Sequence, residues 1–406
     1  MPLISPPALL QAYLSQSPPH RPSNRAPTET RPIHLNVGSL THCNGSSLVK
    51  IGESTIVCGI RAELLPVSEI PHYRASDNAR QGRTRTATTI EEDDDEDSDN
   101  TYDPNPLNNL LVPNLELNTN SHPSFPANIA PSTTAQSLSQ RLLSLLHSSR
   151  LVRPSDLSIR YSSEQSASTA LDPDDEAYIE PERDVLKAYW TLYIDCVALS
   201  YGGEAGMFDA ALMAVVAALR DVRLPRARWD EDRKTVLCDA NFANARRLRL
   251  RGLPCPLGFG VFVPDPRLRV GAEGQGRVNG AVQGKSEGAA TVLIDIDSFE
   301  DDVCEEKGNV VVDCSNSKNK ILKIEKVGGH GRLDAKAMKD VIRRAEARWT
   351  EWNAVLETAL RSAGACASSV YHLVHRAGKT QQHDKEQAQK YNHDGSNITI
   401  TSTGAQ

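Results

Sequence analysis

The stretch HLNVGSLTHCNGSSLVKIGESTIVCGIRAELL, residues 34–65, decides how the chain starts to fold. Asn44-Gly45 and Gly52-Glu53 are turn signals, and the runs around them are rich in Val, Ile and Leu, so the spacing predicts a β-meander. In the last run Ile56, Cys58 and Ile60 alternate with Val57, Gly59 and Arg61. Neither set is wholly polar, which predicts a strand covered on both sides, with Gly59 letting another backbone come close. The same pattern also describes an ordinary buried strand pair that carries no site.

Outside this stretch, much of the 406-residue chain is not core material. Residues 68–106 contain EEDDDEDSDN and few large apolar side chains, residues 271–290 are Gly-rich, and residues 376–406 are polar with almost no aromatics. Such segments bury too little surface to offset their ordering entropy and read as disordered or mobile. About 300 residues then remain, enough for one large domain or two small ones. The net charge of −7 owes everything to seven consecutive acids, Glu91 to Asp97. The rest is near neutral, without the single-sign field that by itself suggests nucleic acid or membrane, although a neutral body can still carry a basic patch.

The eight cysteines show no C-x-x-C, and no histidines are paired at metal-ligand spacing, so no metal or cofactor is expected. Most lie in apolar runs, as reduced buried thiols do, which points to a reducing compartment. The start, MPLISPPALLQAYLSQSPPH, lacks a basic region and is broken by prolines, unlike a signal peptide. No apolar run approaches the ~20 residues of a membrane span.

Two strand-then-helix cycles follow the meander. LLVPNLELN (110–118) precedes a helix in which Leu138, Leu142, Leu145 and Leu146 share a face, with Ser132 or Thr133 as cap. YWTLYIDCVAL (189–199) is a strand, Tyr201-Gly202-Gly203 breaks it, and GMFDAALMAVVAALRDV (206–222) is a helix apolar on nearly every side, hence buried. Strands at 234–239, 257–263, 291–296, 309–313 and 320–327 come next, and a helix from about Asp334 to Leu360 closes the pattern. The fold class is α+β, helices packed on mixed, mostly antiparallel sheets.

Taken together, Asn36-Val37-Gly38-Ser39, Asn44-Gly45-Ser46-Ser47, Val57-Cys58-Gly59-Ile60-Arg61-Ala62-Glu63, Val112-Pro113-Asn114-Leu115-Glu116-Leu117, Leu192-Tyr193-Ile194-Asp195, Phe208-Asp209-Ala210-Ala211 and Gly328-Gly329-His330-Gly331 resemble the RNase PH family in sequence and in order. The likeness is to the non-catalytic ring subunits of the eukaryotic RNA exosome, of the ribosomal-RNA-processing protein 43 type. It implies an RNase PH-like domain over residues 20–363 with insertions at about 68–106 and 271–290, after an N-terminal extension (1–19) and before a C-terminal region (364–406). It also implies a hetero-oligomeric ring with other RNase PH-like subunits and cap subunits, RNA passing through that ring, and residence in nucleus, nucleolus and cytoplasm. Where the family shows Arg-Pro-Asp-Gly-Arg, this chain has Arg21-Pro22-Ser23-Asn24-Arg25, still compatible with a turn.

Active relatives use phosphate to attack the 3′ end of RNA, which takes a cation and backbone donors for phosphate and carboxylates for a metal or an acid. The resemblance places their Gly-Gly-Ser/Thr-Arg loop at Gly202, Gly203, Glu204 and Ala205, where the arginine is missing and Glu204 would repel an anion. The relatives' Asp-rich segment becomes Asp265-Pro266-Arg267-Leu268-Arg269, and their arginine loop becomes Asn120-Ser121-His122-Pro123-Ser124-Phe125. The expectation is therefore a structural subunit and no enzyme. The alternative, a phosphate-dependent 3′-exoribonuclease, needs an arginine from elsewhere in the fold. Gly274, Gly276 and Gly280 read as a linker and His330 as a turn residue. Arg74, Arg80, Arg83 and Arg85 could touch RNA, or pair with the neighbouring acids.

Overall fold

The computed structural model describes residues 7–16, 19–70, 110–126, 130–161, 185–264, 290–316, 319–329 and 333–363. Both expected insertions lie largely outside these residues, as do Arg74, Arg80, Arg83, Arg85, Asp265, Gly274, Gly276, Gly280, His330 and the 364–406 tail. The chain divides into two units, Met1–Val355 and Leu356–Gln406, the second represented only by the end of the last helix.

The opening stretch does form a meander: β1 (Ile33–Val37), β2 (Gly45–Ile51) and β3 (Ser54–Pro66) pair antiparallel, with Gly52-Glu53 as the tight turn. Three further strands complete the first sheet: β4 (Leu111–Glu116), β5 (Ser158–Tyr161) and the long β6 (Val185–Ser200). The order is β1-β2-β3-β6-β4, with β5 also on β6. Its one parallel pairing, β4 beside β6, joins strands far apart in sequence. The alternation in β3 is real, but coverage on both sides is not. Ile56, Cys58 and Ile60 are fully buried, whereas Val57 and Gly59 are half-buried and Arg61 is exposed. The neighbour that crowds Gly59 is the Cys43 side chain, 2.9 Å from where a Cβ would sit, and not another backbone.

The second sheet has the order β12-β11-β13-β14, all antiparallel: β11 (Cys255–Phe262), β12 (Thr291–Ile294), β13 (Glu306–Asp313) and β14 (Lys320–Gly328). Two small ribbons lie between the sheets in sequence, β7 (Arg223–Leu224) with β10 (Arg246–Arg247), and β8 (Ala227–Asp230) with β9 (Thr235–Cys238).

Four helices accompany these sheets among the described residues, besides isolated single turns. α1 is Pro7–Leu14 and packs Leu10 and Leu14 against Phe262, Leu293 and Ile296. α2 is Thr133–Ser148; of the two capping candidates it is Ser132 whose side chain accepts from Ala135 N–H, and all four predicted leucines are buried. α3 is Glu204–Asp221, with every residue from Gly206 to Leu219 buried because it lies against β2 and β3 on one side and β11 and β13 on the other. α4 covers 335–363; its Val341, Ala345 and Trp352 are buried, and Trp349 Nε1 donates to the Leu253 carbonyl at 2.8 Å.

Residues 19–32 are tied to the second sheet by buried charge. Arg21 grips Glu300 through Nε to Oε1 (2.7 Å) and Nη2 to Oε2 (2.5 Å), both side chains fully buried, and also donates to the Ile294 and Asp295 carbonyls. Glu300 stands on a single helical turn, Ser298–Asp301, capped by Asp297. Arg31 holds Asp295 through backbone N–H and guanidinium at 2.5–3.0 Å. Burial would raise the Asp295 carboxyl, but the Arg31 guanidinium outweighs it and holds Asp295 below the usual range. The Arg21–Arg25 turn forms with Asn24 at φ 56°, the left-handed region in which Asn is the next best residue after Gly. Removing one member of such a pair strands a buried charge, so Glu300→Ala should lower stability by about 3–5 kcal/mol in urea titration. Arg21→Met with Glu300→Leu should recover most of that loss; a single variant as stable as the wild type would contradict it.

Candidate functional site

The loop that leaves β6 and starts α3 is where the sequence places the question of activity. Gly203 is the residue before the helix, at φ 90° and ψ 160°, a backbone that side-chain-bearing residues rarely adopt, and a Cβ on it would lie 3.2 Å from Ser298 Cα. A Cβ on Gly202 would come within 2.8 Å of Ser54 Oγ. Both glycines are thus needed for close packing of the loop on its surroundings, whatever the loop binds.

The first helical residue is Glu204, about half exposed, and the side chain that meets it comes from α2. Arg141 Nη1 lies 3.6 Å from Glu204 Oε1. Its Nε donates to Glu325 on β14 at 2.8 Å, its Nη2 donates to Asn309 on β13 at 3.0 Å, and its guanidinium lies 4.1 Å from the centre of the Phe208 ring. All three nitrogens of the fork are therefore engaged, and an arginine has come from elsewhere in the fold to the loop. Sequence reasoning missed it. The only signal was a charged residue inside the leucine pattern of α2, and nothing local says which element that residue meets.

The segment Asn120 to Phe125, distant in sequence, is brought to the same loop. Tyr201 N–H donates to the Ser121 carbonyl at 3.2 Å, and the rings of His122, Phe125 and Tyr201 cluster at 5.1–6.2 Å between centres. Burial first, then the carboxylates of Glu204, Asp301 and Asp302, push the Tyr201 hydroxyl up to about 12. The position offers an aromatic surface in a negative field, the reverse of what a phosphate clamp requires. Among the described residues, no group of three or more His, Cys, Asp or Glu side chains is placed to hold a metal.

Residues 68–225 match the family model described as 3′ exoribonuclease family, domain 1 (RNase PH). The fold is RNase PH-like. A curated relative, exosome complex component rrp43 of Schizosaccharomyces pombe, is 29% identical over 235 residues, 58% of this chain; the match spans 64% of the relative's length. Among solved structures, the Archaeoglobus fulgidus exosome with RNA bound to the active site superposes with a TM-score of 0.52 at 16% identity, covering 87% of this chain and 96% of that one. At that identity the likeness is one of fold, and the RNase PH-like α+β arrangement is the one described above.

Within this RNase PH-like fold, Asp209 of the Phe208-Asp209-Ala210-Ala211 motif faces the second sheet and not the loop. Its Oδ2 accepts from Gly258 N–H at 2.7 Å and its Oδ1 from Asn309 Nδ2 at 2.9 Å, joining α3 to β11 and β13. Burial, and secondarily Asp295, raise its carboxyl to about 7 against the opposing pull of those two hydrogen bonds. Between about pH 4 and pH 7 the folded protein then keeps a proton that the unfolded chain has released, so this residue's contribution to stability falls as pH rises through that window and is constant above it. Urea titrations at both ends of the window should show the wild type losing stability relative to Asp209→Asn as pH rises. A difference independent of pH would contradict the assignment.

Proposed function

We propose that this chain is a non-catalytic, structural subunit of an RNA exosome ring, supporting 3′-to-5′ RNA processing and degradation by a nuclease that it does not itself contain. The observation that carries the non-catalytic part is the closed loop at the start of α3. The alternative, a phosphate-dependent exoribonuclease, requires an arginine free to hold phosphate, and Arg141, which meets Glu204, is committed to Glu204, Glu325 and Asn309. The ring part is supported by the likeness to the rrp43 exosome component and by an apolar margin of the second sheet. β14 ends that sheet, and its Ile321, Ile324 and Val327 are 49%, 44% and 74% exposed. An open edge strand bearing exposed apolar side chains invites pairing with another chain, and a partner subunit would cover it. The expected partners are other RNase PH-like exosome subunits and cap subunits, with RNA passing through the ring, in nucleus, nucleolus and cytoplasm. The RNase PH-like domain is taken as residues 20–363.

Two measurements test this. Incubated with labelled single-stranded RNA, phosphate and magnesium, the purified chain should give no shortened products; a ladder abolished by Asp265→Ala would overturn the non-catalytic reading. Co-expressed with each paralogous RNase PH-like subunit, it should co-elute with at least one as a single species. A monodisperse monomer that binds none of them at micromolar concentration would overturn the ring reading.

A further inference from the structure

The near-neutral balance of the folded part conceals a strongly basic region that the motifs did not mark. Between residues 223 and 251 there are nine Lys or Arg against four Asp or Glu. Three of the acids, Asp230, Glu231 and Asp232, gather with Arg233 and Lys234 at the tip of the β8–β9 ribbon, so the rest of the stretch holds seven arginines against Asp239. There the chain lines a cavity of about 490 Å³ between β5, the start of β6 and residues 224–227. Its floor is apolar, with Ile159, Trp190 and Leu224 each more than nine-tenths buried. Its walls carry Arg160, Arg226 and Arg246, all exposed. Among the described residues none of the three has a carboxylate within ion-pair distance, and the cavity's single acid, Asp156, is paired with Arg251 at 3.2 Å.

The next residue sharpens the imbalance. In the β7–β10 ribbon Arg247 stands directly opposite Arg223. Like charges at facing positions of an antiparallel pair are destabilising. Burial and the nearby Arg247 lower the Arg223 pKa, and the Asp221 carboxylate opposes them.

We infer that this groove is a binding site for single-stranded RNA, with Arg226 and Arg246 on phosphate groups and a base against the apolar floor. The size is that of a small-ligand site, and guanidinium walls over an apolar floor suit a base joined to its phosphate. A carboxylate side chain of an acidic protein would satisfy the arginines and leave the floor unused. The inference relies on the proposed function only for the choice of RNA as the phosphate-bearing partner.

Fluorescence anisotropy of the full chain with a labelled short oligouridylate, across roughly 50–200 mM salt, is the test. The wild type should bind in a salt-dependent manner. Arg226→Ala with Arg246→Ala should weaken binding about tenfold or more and flatten the plot of log affinity against log salt by about 1.4, from about 0.7 per lost phosphate contact on a single strand. Arg226→Lys with Arg246→Lys should restore the slope. Arg343→Ala with Arg344→Ala, the same charge change on exposed residues of α4, should leave both readings unchanged, and thermal melts should show all variants folded. Equal loss in the α4 control, no RNA binding by the wild type, or displacement of the probe by polyglutamate as readily as by unlabelled RNA would each overturn the inference. Co-elution of the groove variant with a ring partner is read separately. A failed groove leaves that co-elution intact, whereas a wild type that finds no partner overturns the ring reading and not this one.

Discussion

A helix with no polar side has to be enclosed, and α3 imposes that requirement on the whole RNase PH-like fold. From Gly206 to Leu219 every residue is buried, so one sheet alone could not cover it. The meander covers one side and the second sheet covers the other. Burying a large aliphatic side chain contributes roughly 1.5–3 kcal/mol, and α3 alone supplies Met207, Phe208, Leu212, Met213, Val215, Val216 and Leu219. The single carboxylate inside the enclosed span, Asp209, is tolerated because the second sheet supplies two donors to it, and its high pKa shows that the site remains hostile to charge. The Arg21–Glu300 and Arg31–Asp295 pairs fix residues 19–32 beside the same end, at the start of α3.

Enclosing α3 also fixes where its N-terminus points, and that decides the chemistry of the loop. A helix start with two preceding glycines can hold an anion, because its N–H groups and dipole are aimed at the same spot. Here the same spot carries Glu204. Its ion pair with Arg141 is long and half exposed, so by itself it contributes little stability, within the ~0–1 kcal/mol of surface pairs. Its effect is electrostatic. Burial, reinforced by the carboxylates of Glu204, Asp301 and Asp302, raises Tyr201, and the guanidinium of Arg141 is shared among Glu204, Glu325 and Asn309.

The α+β class and most of its elements were legible in the sequence because their signals are local. Ile56, Cys58 and Ile60 announced a strand, Leu138 to Leu146 a helix face, Ser132 a cap, and the unbroken apolar run after Gly206 a buried helix. That no arginine follows Gly203 was also a local observation, since Glu204 and Ala205 stand there. The reading failed at β3, where an apolar Val57 and a small Gly59 suggested a second covered face. Whether a face is covered depends on what packs there, and alternation cannot report it.

The sequence by itself thus determined the α+β class, the position of α3 and the absence of an arginine at Glu204-Ala205. Only the tertiary structure decided what stands in that arginine's place. Arg141 meets Glu325 across 184 residues of chain and Asn309 across 168, and β4 joins β6 in parallel across α2 and β5. The basic groove likewise draws Arg160 from β5, Trp190 from β6 and Arg246 from β10 to one cavity. None of these meetings leaves a periodic trace, because a charged side chain on a surface has the same local pattern whether it faces water or a partner brought to it by the packing of α3 between two sheets.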